Sequence, residues 1–240
     1  MPAAQLIPAA AALLFLITGA IISVRRRKLT RSAATTGAIL GAFTYFGAGF
    51  MGLSLLIMFF LAGTAATSWR KKDKLGIGGS AAHQTTRHAG QVFANGGVAA
   101  LLGAVAIAMP LHHRLLDLMI ASAMSSAMAD TLSSELGIVY GRRCFNILTW
   151  KKDRRGLDGV VSIEGLLFGL AGSALIAVLY YLFTADRLYA LVVICAAGTF
   201  GNLADSILGA LFERRGLLSN DLVNLLNTLL AAIFAAALVI

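Results

Sequence analysis

Two acids interrupt an otherwise small and apolar run, ASAMSSAMADTLSSELG, at residues 121–137. Asp130 and Glu135 meet no Lys or Arg along the chain until Arg142. A third acid, Asp205, sits in similar company in GNLADSILGA at 201–210. A charge at the centre of a membrane helix costs at least about 2.5–3.5 kcal/mol on insertion scales, so carboxylates kept there need a task. All three fall toward the C-terminal ends of their helices, where the macrodipole repels negative charge. Something positive must compensate them: loop arginines are one option, a divalent cation among carboxylates and amides the other. We prefer the cation. Oxygen donors with no His or Cys nearby suit Mg²⁺ or a similarly hard ion, and Mg²⁺ usually shares itself with a substrate's phosphates. The chemistry that follows is phosphoryl or nucleotidyl transfer.

Further polar residues gather at the same depth. Asn95 opens a fourth helix, and Thr131 and Ser134 accompany the acids of the fifth. Ser162 and Glu164 open the sixth. Asn202 and Ser206 flank Asp205 in the seventh, and Asp221, Asn224 and Asn227 begin the eighth at spacing i, i+3, i+6, nearly one face. Each has a purely structural alternative. Asn202 and Asn227 can join helices by hydrogen bonds, and Asp221 and Glu164 can serve helix N-termini. No helix contributes a comparable polar group to the outer half, so the site is expected to face the cytoplasm.

The elements that carry these residues follow from composition. Hydrophobic residues make up 58% of the 240-residue chain and charged ones only 13%, against about 25% charged in soluble domains. The class is therefore an all-α, polytopic membrane helix bundle forming one domain over 1–240. Continuous rather than alternating apolar runs argue against a β-barrel. Two cysteines without ligand spacing argue against structural disulfides and zinc. Basic residues follow the first apolar run instead of preceding it, the wrong order for a cleaved signal, so that run reads as a retained helix. Helices are expected near 3–24, 32–48, 51–68, 93–110, 115–138, 162–183, 188–210 and 221–239. A single broken helix over 32–68 would give seven spans instead.

Charge decides between them. The odd-numbered connections, 25–31, 69–91, 139–161 and 212–220, hold 18 of the 20 Lys and Arg residues, leaving Arg114 and Arg187 to the even-numbered ones. Such alternation is what the positive-inside rule requires of eight spans with both termini non-cytoplasmic. The net charge of +9 is thus a topology signal and not a nucleic-acid-binding one. Loop 25–31 is explained by topology and anionic headgroups. Loops 69–91 and 139–161 are long and glycine-bearing, which also suits phosphate binding. His83 and His88 sit in such a loop, and solvation is their default. A short echo, Ala129-Asp130-Thr131-Leu132 and Ala204-Asp205-Ser206-Ile207, matches the two acids in depth.

NGGVAALL (95–102), ADTLSSELG (129–137), RGLDGVVS (155–162), GNLADSILGA (201–210) and SNDLVNLLNT (219–228) together resemble the integral-membrane family that contains plant phytyl-phosphate kinase. Ser162-Ile163-Glu164-Gly165 is also similar to the Ser-x-Glu-Gly stretch of phytol and dolichol kinases, which use CTP. One departure is Val160, where the family usually has a second glycine. The resemblance implies a kinase that transfers a phosphate from a nucleoside triphosphate, CTP or ATP, to an isoprenoid monophosphate. It implies Asp130 and Asp205 as metal ligands, with Glu135 a third ligand or a support. Asp221 and Asn224 would complete the metal or nucleotide site. Lys71, Lys72, Arg87, Lys151, Lys152 and Arg154 become candidate phosphate contacts. Competing readings are a CTP-dependent prenol kinase, a lipid cytidylyltransferase, and a cation-coupled transporter.

Overall fold

A computed structural model describes residues 3–77, 86–186 and 188–240. His83 and Arg187, named above, lie outside the described residues. The helices are α1 (Ala3–Arg25), α2 (Arg31–Ser68), α3 (Lys71–Lys74), α4 (Ala89–Ala108), α5 (His113–Tyr140), α6 (Ile163–Thr184), α7 (Leu188–Leu208) and α8 (Asn220–Val239). Seven of them, all but the four-residue α3, are long and apolar enough to cross a bilayer. A short antiparallel ribbon, β1 (Cys144–Asn146) with β2 (Val160–Ser162), pairs Cys144 with Ser162 and Phe145 with Val161. The apolar patterning gave no sign of this ribbon, because it lies wholly within the polar loop before α6.

The 38 residues of α2 are not one span. At Gly49 the backbone takes φ 60° and ψ −152°, a region essentially closed to residues with a β-carbon. Neighbours on α4 show what this does. Gly37 lies beside Val92, and Gly47 meets Gly103, so the first half runs parallel to α4. Gly63 lies beside Arg87, so the second half runs antiparallel, and Gly96 touches both Leu40 and Leu56. The ends close the argument: Lys28 Nζ donates to Ser68 Oγ at 2.9 Å, whereas a straight helix of that length would separate them by roughly 57 Å. The helix is a hairpin, so the described chain makes eight crossings. This matches the count read from charge alternation.

A prediction follows at once. With Cys144 and Cys195 replaced by serine, the pair Lys28→Cys and Ser68→Cys should be joined by a short bifunctional thiol reagent within one chain. Failure to cross-link intramolecularly in membranes would favour the extended helix.

The bundle is built around α5, which packs against α2, α4, α6, α7 and α8. Its stretch from Ile120 to Ala129 is fully buried. Alanine, serine and glycine let the partner helices approach closely, as membrane helix packing requires. Ser125 Oγ donates to the Ile194 carbonyl at 3.1 Å, and Gly137 of α5 lies against Gly165 of α6. The helix that carries two of the acids is therefore the most constrained element.

Lys28, Arg87, α3, the ribbon and Arg214 share one face of the bundle. Leu29 bridges Arg87, the Arg87 amide donates to the Lys28 carbonyl at 3.0 Å, and Arg214 binds Asp153 at 2.8 Å. The opposite face carries the Arg114–Asp186 ion pair. It also corrects one expectation, that the outer half lacks a polar group comparable to the acids. Asp117 lies in the second turn of α5 there, with Oδ1 buried and, among the described residues, without a hydrogen-bond partner. Its neighbour Tyr180 is buried and donates to Asp186 at 3.3 Å.

Candidate functional site: an acid pair under a glycine strap

The basic-face end of the bundle encloses a cavity of about 530 Å³. α2 contributes Thr64 and Thr67, α4 contributes Asn95, α5 contributes Asp130 and Glu135, α7 contributes Asp205, and α8 contributes Asn224. A strap running from Arg155 to Ser162 forms one wall. In the strap, Gly156 and Gly159 have φ of 83° and 74°, which L side chains rarely adopt. Gly159 also presses directly onto Ala210, so no β-carbon fits there. Ala210 belongs to a π-helical turn, Gly209–Glu213, that extends α7 and brings Glu213 to the cavity. Such turns recur at functional sites. Val160, the departure noted above, pairs with Asn146 in β2 at ordinary negative φ, so the strap needs no glycine there.

Asp130 and Asp205, from different helices, stand within hydrogen-bonding reach of each other. Among the described residues, no Lys or Arg nitrogen is paired with either. Asn227 holds the pair in place. Its Nδ2 donates to Asp205 Oδ1 at 2.6 Å, and its Oδ1 accepts from Ser126 Oγ at 2.9 Å. Asn227 is fully buried, so it acts both as interhelical glue and as the positioner of an acid.

The remaining sequence-derived candidates divide. Asn95, Arg87, Ser162 and Asn224 reach the cavity wall. Ser162 Oγ also caps α6, accepting from Gly165 N at 3.1 Å. Glu135 borders the cavity, but Lys74 binds it at 2.7 Å and also donates to the Ala66 carbonyl at 2.7 Å. The cation compensating that acid is therefore a lysine. Asp221 faces His88 Nδ1 at 3.8 Å, in the first turn of α8. His88 itself caps α4 in a reciprocal box with Gln91, not a phosphate. Glu164 accepts from Arg142 N at 3.3 Å. The four acids Asp130, Glu135, Asp205 and Asp221 thus do not converge; only Asp130 and Asp205 do. Lys71, Lys72, Lys151, Lys152, Arg154, Glu164 and Asp221 are not on the cavity wall.

Four charged cavity residues were not among the sequence-derived site candidates: Lys28, Arg155, Asp158 and Glu213. Arg155 and Asp158 lie in RGLDGVVS, whose glycines were the available signal. Lys28 was assigned to topology alone, and Glu213 is brought in by a π turn that apolar patterning does not reveal.

Charge around the cavity is uneven. Asp158, on the strap, is held above the usual carboxylate range by loss of surrounding water, against the pull of Arg214. Asp153, outside the cavity, is held below that range by its hydrogen bond from Arg214. Burial lowers Arg87 from its ordinary value, opposed by Glu135. Its guanidinium lies over the Phe59 ring at 5.3 Å and has no side-chain hydrogen-bond partner among the described residues. A desolvated planar cation beside a cavity, its donors unpaired among the described residues, is suited to an oxyanion such as phosphate.

Among the described residues, no three His, Cys, Asp or Glu side chains form a ready-made metal cage. The acid pair nonetheless fits Mg²⁺. That ion needs only one or two carboxylates when water and phosphate complete its shell, and two adjoining carboxylates without a cationic partner supply them.

A family model described as Integral membrane protein DUF92 matches residues 14–232. An uncharacterized membrane protein of Methanocaldococcus jannaschii is 34% identical over 220 residues, covering 89% of this chain and 87% of that protein. Protein VTE6, chloroplastic, of Arabidopsis thaliana is 31% identical over 213 residues, covering 86% of this chain and 64% of the plant protein. An uncharacterized membrane protein of Synechocystis is 29% identical over 199 residues, covering 82% of this chain and 77% of that protein. No solved structure matches significantly.

Proposed function

This chain belongs to the DUF92 family of integral membrane proteins, and from that premise we propose that it is a membrane-embedded kinase acting on an isoprenoid monophosphate. The phosphoryl donor is a nucleoside triphosphate, CTP or ATP, and the site faces the cytoplasm, an orientation that the basic loops support. The observation that carries this reading is the shared cavity of the Asp130–Asp205 pair and the Arg87 guanidinium, which makes no ion pair among the described residues. Its likeness to the family containing plant phytyl-phosphate kinase supports the substrate class.

Asp130 and Asp205 would hold Mg²⁺, which when bound neutralises charge on the phosphates being transferred. Arg87, Lys28 and Arg155 receive phosphate oxygens. Asn227 fixes the orientation of Asp205, and the strap from Arg155 to Ser162 supplies backbone N–H groups and limits access of water. A monophosphate acceptor is already ionised near neutral pH, so no strong general base is needed. Positioning and charge neutralisation carry the reaction.

The test is product analysis. Purified protein in lipid nanodiscs, given Mg²⁺, a nucleotide panel and prenyl alcohols and monophosphates, should yield the prenyl diphosphate and nucleoside diphosphate. Pyrophosphate release with a CMP-linked lipid would identify a cytidylyltransferase instead. Cation-driven flux in liposomes without turnover of any nucleotide would identify a transporter.

A further inference from the structure

Between α5 and α6 the chain makes an excursion that the cavity uses only in part. Its second limb is the strap. Its first, residues 142–154, carries a different chemistry. Trp150 is 75% exposed and Leu148 42%, although both are large and apolar. Their display is built in. Leu148 N and Thr149 N both donate to Asn146 Oδ1, at 3.0 and 3.2 Å, and Trp150 N donates to the Asn146 carbonyl at 2.8 Å. Trp150 takes a left-handed φ of 56°, uncommon for a bulky residue, and its ring stacks on Phe145 with centroids 5.3 Å apart.

The charge on this tip is mostly positive, with Glu164 at the start of α6 lying near Arg142 and Arg143. Arg142, Arg143, Lys151, Lys152 and Arg154 are all exposed. The one acid of the segment, Asp153, is occupied by Arg214 at 2.8 Å. A rigidly displayed tryptophan beside Lys151, Lys152 and Arg154, none of them in an ion pair among the described residues, on the face where the helices end, matches the two demands of a membrane interface. Tryptophan settles at headgroup level, and each Lys or Arg near an anionic leaflet is attracted to it.

We infer that this ribbon tip docks on the anionic phospholipid surface of the membrane the bundle spans, with Trp150 and Leu148 at headgroup depth and Lys151 and Lys152 on lipid phosphates. The docking surface gives those lysines a partner that the cavity does not. It does not depend on the kinase reading. Arg155 follows directly, and Arg214 ties Asp153 to the end of the π turn, so a docked tip also anchors the strap.

The experiment uses the full chain carrying Trp69→Phe, which leaves Trp150 as the only tryptophan. It is reconstituted in phosphatidylcholine bilayers, or in equal parts phosphatidylcholine and phosphatidylglycerol, with acyl chains brominated near the headgroup. Trp150 should be quenched by the brominated lipid in the anionic bilayer and shielded there from aqueous acrylamide. The ratio of lipid-quenched to water-quenched Trp150 should fall roughly fivefold for each of Lys151→Gln and Lys152→Gln, and high salt should lower it likewise. Equal acrylamide access in both bilayers, or shielding by added nucleotide instead of anionic lipid, would overturn the inference.

Discussion

Asp130→Asn and Asp205→Asn should each lower phosphoryl-transfer turnover by about 10²–10³-fold, the scale of losing one preorganised electrostatic contact in a closed site. The substitution is nearly isosteric. The amide oxygen of Asp205→Asn can still accept the bond from Asn227 Nδ2 that the wild-type carboxylate accepts at 2.6 Å. Insertion and folding should therefore survive while the charge disappears. In the proposed reaction the two acids act as one unit, because they lie within hydrogen-bonding reach of each other. The double variant should accordingly be little worse than either single one. The measurement is turnover of purified protein in nanodiscs across a Mg²⁺ titration, with helicity checked in parallel. Near-wild-type turnover of either variant at saturating Mg²⁺ would remove the pair from the reaction.

Lys74→Met should produce the largest loss of stability. Lys74 is 6% exposed at its side chain and Glu135 22%, and the ammonium also satisfies the Ala66 carbonyl. Removing one member of a buried pair strands the other. Because Glu135 keeps some contact with water, the expected cost is about 2–3 kcal/mol, below the full range for a wholly buried pair. The second substitution Glu135→Gln, placed in the same chain, should recover most of it. Denaturant unfolding in detergent reads both changes. A loss for Lys74→Met below about 0.5 kcal/mol, the level of an exposed pair, would show that the contact is incidental.

These two expectations mark how far the sequence could be read. Asp130 and Asp205 were visible because a carboxylate in a run of Ala, Met and Leu is costly and rarely kept without purpose. Their convergence could be anticipated from depth alone, since both lie within three turns of the C-terminal ends of parallel-running helices. Glu135 looked equivalent by the same measure. What separates it is Lys74, 61 positions away, on a four-residue helix that no apolar periodicity announces. The phosphate-binding candidates fared unevenly for a related reason. Long loops hold many basic residues, and charge carries no information about which of them a turn sends inward. Arg87 reaches the cavity because its backbone is pinned to Lys28 and Leu29. Lys151 and Lys152 do not, because Asn146 folds the chain back before them. The eight crossings were legible because loop charge reports on sides, even where the helix itself shows no break in hydropathy.

That last point gives Gly49 a weight beyond local geometry. The segment around it, FGAGFMG at residues 46–52, has no polar side chain, and Tyr45 packs edge-on against Phe46 and Phe50. The reversal therefore exports no hydrophilic loop: residues 31–68 can enter the bilayer as one closed wedge, both ends left together on one side. Straightening that wedge would change the parity of every later crossing and send loops that follow it to the wrong compartment. The handedness of one backbone torsion thus sets the orientation of all the machinery downstream.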